Sequence, residues 1–385
     1  MEYKKLKEIA LINPESIGKR YKYSNIRYLD TANIVKGIIN EIVKLNIDEA
    51  PSRAKRIVKY NDIVYSTVRP NQLHYGIIKS EIENLIVSTG FVVIRAKNAI
   101  VEPDYLYAYL TLPQITEKMQ SIAETTTSAY PSIRPNDIEE LMIPLPSIAE
   151  QKKIANILST IDLKSKINSQ INDNLLKICN CIFHNYLDEN ETKIEYKKII
   201  DIADCVITGK TPSTKNKELW KDEIPFITIP DMHNQVFTIE TERKISRVGA
   251  KSIIPKDSIS VSCIATVGLV SINTEDSQTN QQINSIVLKN EYDLYYLYEY
   301  LSEQEGFLKN IAGGSTTYNI NKNMFENIEV PYLPIDKMKD FYNTVRQMFD
   351  SIKEKQLENK KLSIMRDTLL PKLMNGEIDL DKVQI

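Results

Sequence analysis

At 385 residues the chain exceeds one typical domain, so two or more are expected, each with its own core. With 42% apolar and 26% charged residues, and no apolar run near the ~18 residues of a membrane span, the composition argues against a membrane protein. Forty-nine basic against 51 acidic residues give a net charge of -2, which excludes a protein that grips nucleic acid by bulk charge alone and leaves only local basic surfaces.

The start, MEYKKLKEIA, is charged and lacks a signal-peptide core. Beyond it, β-branched residues at 63–68 and 86–94 predict strands, and residues 105–110 predict a short helix. After Pro144 and Pro146, glycine and proline vanish and a long helix is predicted. Its apolar seam runs through Ile154, Ile157, Ile161, Ile171, Leu175 and Ile178, with Asn168 as a polar interruption. Strands are predicted again at 224–229 and 258–264, and a short helix at 296–301. After Pro331 and Pro334 a second long helix carries Val345, Met348, Ile352, Leu362 and Leu369 on its seam, interrupted by Asn359. Helices of roughly 38 residues, about 55 Å at 1.5 Å per residue, overhang any domain of this size and are expected to pair.

These elements repeat in order. YKKLKEIA at residues 3–10 recurs as YKKIIDIA at 196–203, and AKRIVKYNDIVYS at 54–66 recurs loosely as AKSIIPKDSISVS at 250–262. DYLYAYL at 104–110 is answered by YYLYEYL at 295–301, and IEELMIPLPSI at 138–148 by FENIEVPYLPI at 325–335. Four matches in the same order predict a duplicated unit of a globular α+β part followed by a helix. The expected boundaries are 1–147, 148–190, 191–333 and 334–385.

Catalytic signals are sparse. GKT at 209–211 resembles the end of a phosphate-binding loop, but the required first glycine is Asp204, so a turn is the better reading. Glu195 and Lys197 form a Glu-x-Lys with no Pro-Asp partner for a metal site. His74, His184 and His233 are far apart, and Cys179, Cys181, Cys205 and Cys263 lack paired metal spacing, so no metal site, disulfide frame or catalytic triad is expected. Reduced thiols suit the cytoplasm. The chain reads as a binder.

Local charge suggests what it binds. Residues 14–60 hold ten Lys/Arg, among them Lys19, Arg20, Lys22, Arg53 and Lys55, against five acids and beside Tyr21, Tyr23 and Tyr28. The matching stretch of the second copy holds Lys210, Lys215, Lys217, Arg243, Lys244, Arg247 and Lys251. Such segments suit DNA phosphates, while Arg69, Asn71, Gln72 and His74 in the first copy, and Gln281, Gln282, Thr316, Thr317 and Asn319 as rough analogues in the second, are candidate base readers.

PLPSIAEQKKIANILSTID at 144–162 resembles the junction in type I restriction-modification specificity subunits where a target-recognition domain passes into a conserved helix. LENKKLSIMRDTLLPKLMNGEI at 357–378 is similar to the end of that family's second helix, and GKTPSTKNKELWKDEIPFITIPDM at 209–232 to the opening of a recognition domain. The second junction departs, with Asp336 and Lys337 where the first has Glu150 and Gln151. The resemblance implies two target-recognition domains separated by two helices in an antiparallel coiled coil, a pseudo-twofold repeat that reads an asymmetric bipartite site on double-stranded DNA. It implies two modification subunits that use S-adenosylmethionine, motor-nuclease restriction subunits that use ATP and Mg, and no cofactor, metal or catalysis in this chain. Target bases would be flipped into a partner's pocket. Residues 1–147 carry 19 basic against 17 acidic groups (+2) and residues 191–333 carry 15 against 20 (-5), so affinity is expected from local patches and partners. Leu158, Phe183, Tyr342 and Phe349 are candidates for docking those partners. The competing reading is a coiled-coil scaffold without sequence-specific DNA binding.

Overall fold

The computed structural model describes residues 2–18, 21–126, 131–312, 318–374 and 376–378. The chain divides into two compact units, residues 1–164 with 362–385, and residues 165–361. Each contains one copy of the repeat and part of both long helices, Ile148–Glu189 and Ile335–Met374.

The first unit has two four-stranded sheets. In one, Asn25–Leu29 lies parallel to Leu85–Ser88, flanked by Val43–Asn46 and Ala54–Ile57. In the other, Phe91–Ala96 pairs antiparallel with Ala10–Ile12 and with Ile63–Ser66, which continues to Tyr75–Ile77. Continuous β-branched sequence predicts one strand over 86–94, yet the chain turns at Thr89 and Gly90 and divides it between the two sheets. Burial of both faces explains why the two halves look alike in sequence, since Leu85–Ser88 and the first four residues of Phe91–Ala96 are all buried.

The second unit repeats this plan. Ile224–Ile227 lies parallel to Ser277–Thr279, flanked by Arg243–Ile245 and Ile253–Ile254. Its other sheet runs Ala203–Thr208, Ile283–Leu288, Ile259–Ser262, Val270–Asn273 and Phe237–Thr238. The strand predicted over 224–229 stops at Ile227, where Thr228 and its bond to Asp231 start the helical turn Ile229–Met232.

Each copy closes on itself in the same register. Glu2–Lys5 pairs antiparallel with Met142–Leu145, Tyr3 opposite Pro144, and Glu195–Lys198 pairs with Glu329–Tyr332, Tyr196 opposite Pro331. The short helices Pro103–Leu110 and Leu294–Ser302 lock these closures. Tyr105 Oη donates to Pro144 O at 2.8 Å and Tyr296 Oη to Pro331 O at 2.6 Å, while Tyr109 and Tyr300 reach Met142 O and Glu329 O, both at 3.0 Å. Closure therefore delivers the chain from its last strand directly into a long helix.

The long helices run antiparallel within each unit, as their partners show. In the second unit Asn168 meets Asn359, Asn172 meets Ile352 and Cys179 meets Met348. In the first, Asp162 pairs with Arg366 at 3.5 Å, and Ile154 and Ile157 share a core with Leu370, Leu373 and Met374. Ile161 and Leu369 pack at the edge of that core, and Leu362 is half-buried. The second-unit core takes in Val345 and Ile352 fully, with Leu175 and Met348 against it, and Ile171 is half-buried. Ile178 departs from the predicted seam. It is 47% exposed, and Cys179 takes the inward position because the helix also has to present Phe183 to Tyr296 and Phe341. The four candidate docking residues are likewise internal: Leu158, Phe183, Tyr342 and Phe349 are at most 8% exposed and belong to the cores of their own units.

The two junctions use different chemistry. Gln151 is buried, accepts from Glu102 N at 2.9 Å and donates to Pro146 O at 2.9 Å, while Glu150 caps the helix through Ser147. At the second junction, where Asp336 and Lys337 replace that pair, Tyr332 Oη donates to buried Asp293 at 2.8 Å and Lys197 sits 4.0 Å over the Tyr332 ring. Lys197 and Glu195 are thus parts of a closing strand.

Candidate nucleic-acid interface

Backbone hydrogen bonds draw three distant segments together at one end of each copy. In the first, Thr67 N donates to Gly90 O, Ile133 N to Thr67 O and Arg69 N to Pro131 O, all at 2.8–2.9 Å. Arg53 O joins them by accepting from Thr89 N at 2.8 Å. In the second, Cys263 N donates to Gln282 O at 2.7 Å, Ile320 N to Cys263 O at 2.9 Å and Ala265 N to Tyr318 O at 3.1 Å. The isolated bridges Val68 to Ser132 and Ile264 to Asn319 repeat as well. One scaffold therefore presents two sets of loop side chains.

The scaffold is held under backbone strain. Arg69 at φ 46° and Ala265 at φ 65° occupy equivalent left-handed positions, a region that favours glycine. Leu73 at φ 59° is similarly placed. Retaining side chains there costs stability, which is the pattern of a site shaped for contact.

Arg69 is exposed on this rim beside Thr89 and Ser132, Asn71 and Gln72 are exposed on the turn Pro70–Gln72 that follows it, and Arg134 is exposed two residues after Ser132. His74 has another task. Its Nδ1 donates to Ile34 O at 2.7 Å and the ring is half-buried, so it ties the hairpin that begins at Ile34 to this turn. In the second copy Gln281 and Asn319 are exposed on the rim and Gln282 is half-buried. Thr211 donates to Gln281 Oε1, Asn280 Nδ2 donates to Gln282 Oε1 at 3.1 Å, and Asn280 Oδ1 accepts from Gln282 N at 3.0 Å, so both amides are pre-set by neighbours.

The pairing of analogues expected from sequence is corrected by these bonds. Gln281 and Gln282 correspond to Thr89 and Gly90, while Arg69 corresponds to Ala265. Lys19, Arg20, Thr316 and Thr317 lie outside the described residues.

The basic candidates separate into groups. Arg53 and Lys55 are exposed at the edge strand Ala54–Ile57, and Lys22 is exposed on the segment before Asn25–Leu29. Lys210 is brought to the second rim through its N–H to Thr279 O, and buried Gln278 ties Lys210 O to the backbone of Lys251. Gly209 explains the GKT turn, since a Cβ there would lie 2.2 Å from Asn280 O. Lys215, Lys217, Arg243, Lys244 and Arg247 gather around Trp220. The Arg243 guanidinium stacks 3.5 Å above the indole, and Arg247 N donates to Glu223. Lys244 pairs with Asp222 at 2.9 Å, which raises its pKa and weakens it as a free phosphate contact. Sequence reasoning missed Thr89 and Ser132, and Thr211, Asn280 and Tyr318, because only tertiary hydrogen bonds and bridges place them on the rim.

Among the described residues no helix is long and apolar enough to cross a membrane, and no group of three His, Cys, Asp or Glu could hold a metal ion.

The type I restriction modification DNA specificity domain family matches residues 1–177 and again 191–363. The chain is 32% identical to the specificity subunit of the type I restriction enzyme HindI from Haemophilus influenzae, over 92% of this chain and 95% of that protein. It is 35% identical to the MjaIX specificity subunit of Methanocaldococcus jannaschii over 49% of this chain and 44% of that one. The crystal structure of a type I restriction-modification S subunit from M. genitalium shares the fold, with a TM-score of 0.57 at 14% identity over 97% of this chain and 95% of that chain. Two matching domains over one duplicated scaffold, in a chain aligned nearly end to end with a specificity subunit, place this protein in the type I restriction-modification DNA specificity family, whose role is to supply sequence specificity on DNA.

Proposed function

We propose that residues 1–147 and 191–333 are two recognition domains that each read one half of an asymmetric bipartite site on double-stranded DNA. The observation that carries this reading is the duplicated rim, one hydrogen-bonded scaffold bearing different side chains in its two copies. Equivalent backbones set equivalent approaches to a duplex, and unlike side chains select unlike bases. Lys22, Arg53, Lys55, Lys210, Lys215, Lys217, Arg243 and Arg247 contribute phosphate contacts that position each domain. The helices of 148–190 and 334–385 link the readers and dock two modification subunits.

Catalysis belongs to those partners. Modification subunits would bring S-adenosylmethionine, and restriction subunits ATP and Mg, to DNA this chain has located in the cytoplasm. Exchanging residues 1–147 for the corresponding domain of another family member, in cells carrying the partners, is expected to change one half of the methylated sequence and leave the other. An unchanged methylation pattern overturns the reading.

A further inference from the structure

We infer that the two copies read chemically different half-sites, the first selecting a guanine through the Arg69 guanidinium and the second an adenine through the Gln281 amide. This deepens the proposed function and rests on it.

The inference comes from an exchange of roles between two turns of one scaffold. On the turn after Ile63–Ser66, the residue fixed by the bond to Pro131 O is Arg69. Its counterpart after Ile259–Ser262, fixed by the bond to Tyr318 O, is Ala265, whose side chain has no polar atom. On the neighbouring turn the distribution reverses. The first copy has Thr89 and Gly90, and the second has Gln281 and Gln282.

Arginine offers a rigid fork of donors that matches guanine O6 and N7, whereas a glutamine amide offers a donor and an acceptor that match adenine N6 and N7. Residues 263–269, 280–282 and 318–320 contain no arginine or lysine, so these turns supply no guanidinium with which to read guanine, and Lys210 beside them is a point charge without the planar donor fork. Gln281 Oε1 accepts from Thr211, which fixes the amide orientation and leaves one carbonyl lone pair and the NH₂ group for a base. Gln282 is half-buried and committed to Asn280, so it supports its neighbour. Asn71 and Gln72 stand beyond the junction on the turn Pro70–Gln72, where Asn71 N donates to Gln120.

The test is enrichment of duplexes from a randomised DNA pool by the full chain co-purified with its modification subunits, read by sequencing. The unmodified complex should enrich a bipartite site with a G·C pair in one half and an A·T pair in the other. Arg69→Gly suits the left-handed backbone and Arg69→Lys keeps the charge. Both should relax the G·C position by about tenfold or more and spare the other half. Gln281→Ala should relax an A·T position in the opposite half only. The inference is overturned if the Arg69 variants weaken all sequences uniformly, as a phosphate contact would, if Arg69→Lys retains full selectivity, or if both sets relax the same half-site. Enrichment of no bipartite sequence by the unmodified complex instead overturns the function on which the inference rests.

Discussion

The two copies of this chain share a backbone plan and differ in how they stabilise it. In the first, Asp62 is fully buried and holds Arg95 through two bonds of 2.7 and 2.8 Å, with Glu15 and Lys59 completing the network. The second copy has Ser258 and Val287 at these positions, and Ser258 bonds locally to Pro255 O. In the other direction, Ala108 of the first copy is replaced by Glu299, which is 4% exposed against the first long helix. Burial pushes the Glu299 carboxyl up to about 7, and Asn180 donates to it at 3.3 Å. Duplicated folds thus preserve register and closure while their buried polar groups drift: the first copy satisfies Asp62 within a charge network, and the second keeps Glu299 with one carboxylate oxygen unpaired among the described residues.

That comparison can be broken most severely at the ion pair. Asp62→Ser should cost about 3 kcal/mol in the first unit by removing the buried carboxylate that takes two of the Arg95 bonds and leaving only Glu15 opposite the guanidinium, measured by denaturant unfolding. Adding Arg95→Val, which reproduces the second copy, should recover most of the loss. No recovery would mean that the pair is irreplaceable in its context.

Glu299 gives the next effect. The folded state keeps a proton from the usual 4.5 up to about 7, while the unfolded chain has lost it. The stability it contributes is therefore full below about pH 4.5 and is lost as pH rises through about 7, a fall of roughly 2–3 kcal/mol. Glu299→Gln should flatten this dependence, and hydrogen exchange should place the change in the second unit alone. The groups facing Glu299 are His184, Glu303, Asn180 and Cys179. His184 is therefore best replaced in a parallel control.

The shared features predict equal effects. Tyr105→Phe and Tyr296→Phe should each cost about 1 kcal/mol, since each removes one buried hydroxyl bond that closes its domain. A large difference would show that the two closures carry unequal load. Ala265→Gly, smallest of all, should stabilise the second unit by about 0.5 kcal/mol by relieving its positive φ, checked by a shift in the unfolding midpoint.

The helix seam shows how far periodicity reaches. Spacing alone indicates Ile154 and Ile157, and both are internal. It also suggests Ile178, but the helix serves two neighbours at that level, so Cys179 and Phe183 define the inward face. Asn168 and Asn359 stand out as polar breaks, and their meeting at 2.9 Å depends on the antiparallel register that the two closures impose.

Order, duplication and the passage from α+β domain to long helix were decided by the sequence itself, because local propensity and apolar period act over a few residues and recur in both copies. The composition of each rim was decided only by tertiary structure. Thr67, Gly90 and Pro131, or Cys263, Gln282 and Tyr318, are joined by backbone hydrogen bonds between loops far apart in the chain. Such bonds place no demand on side-chain type and so leave no pattern in the amino-acid sequence.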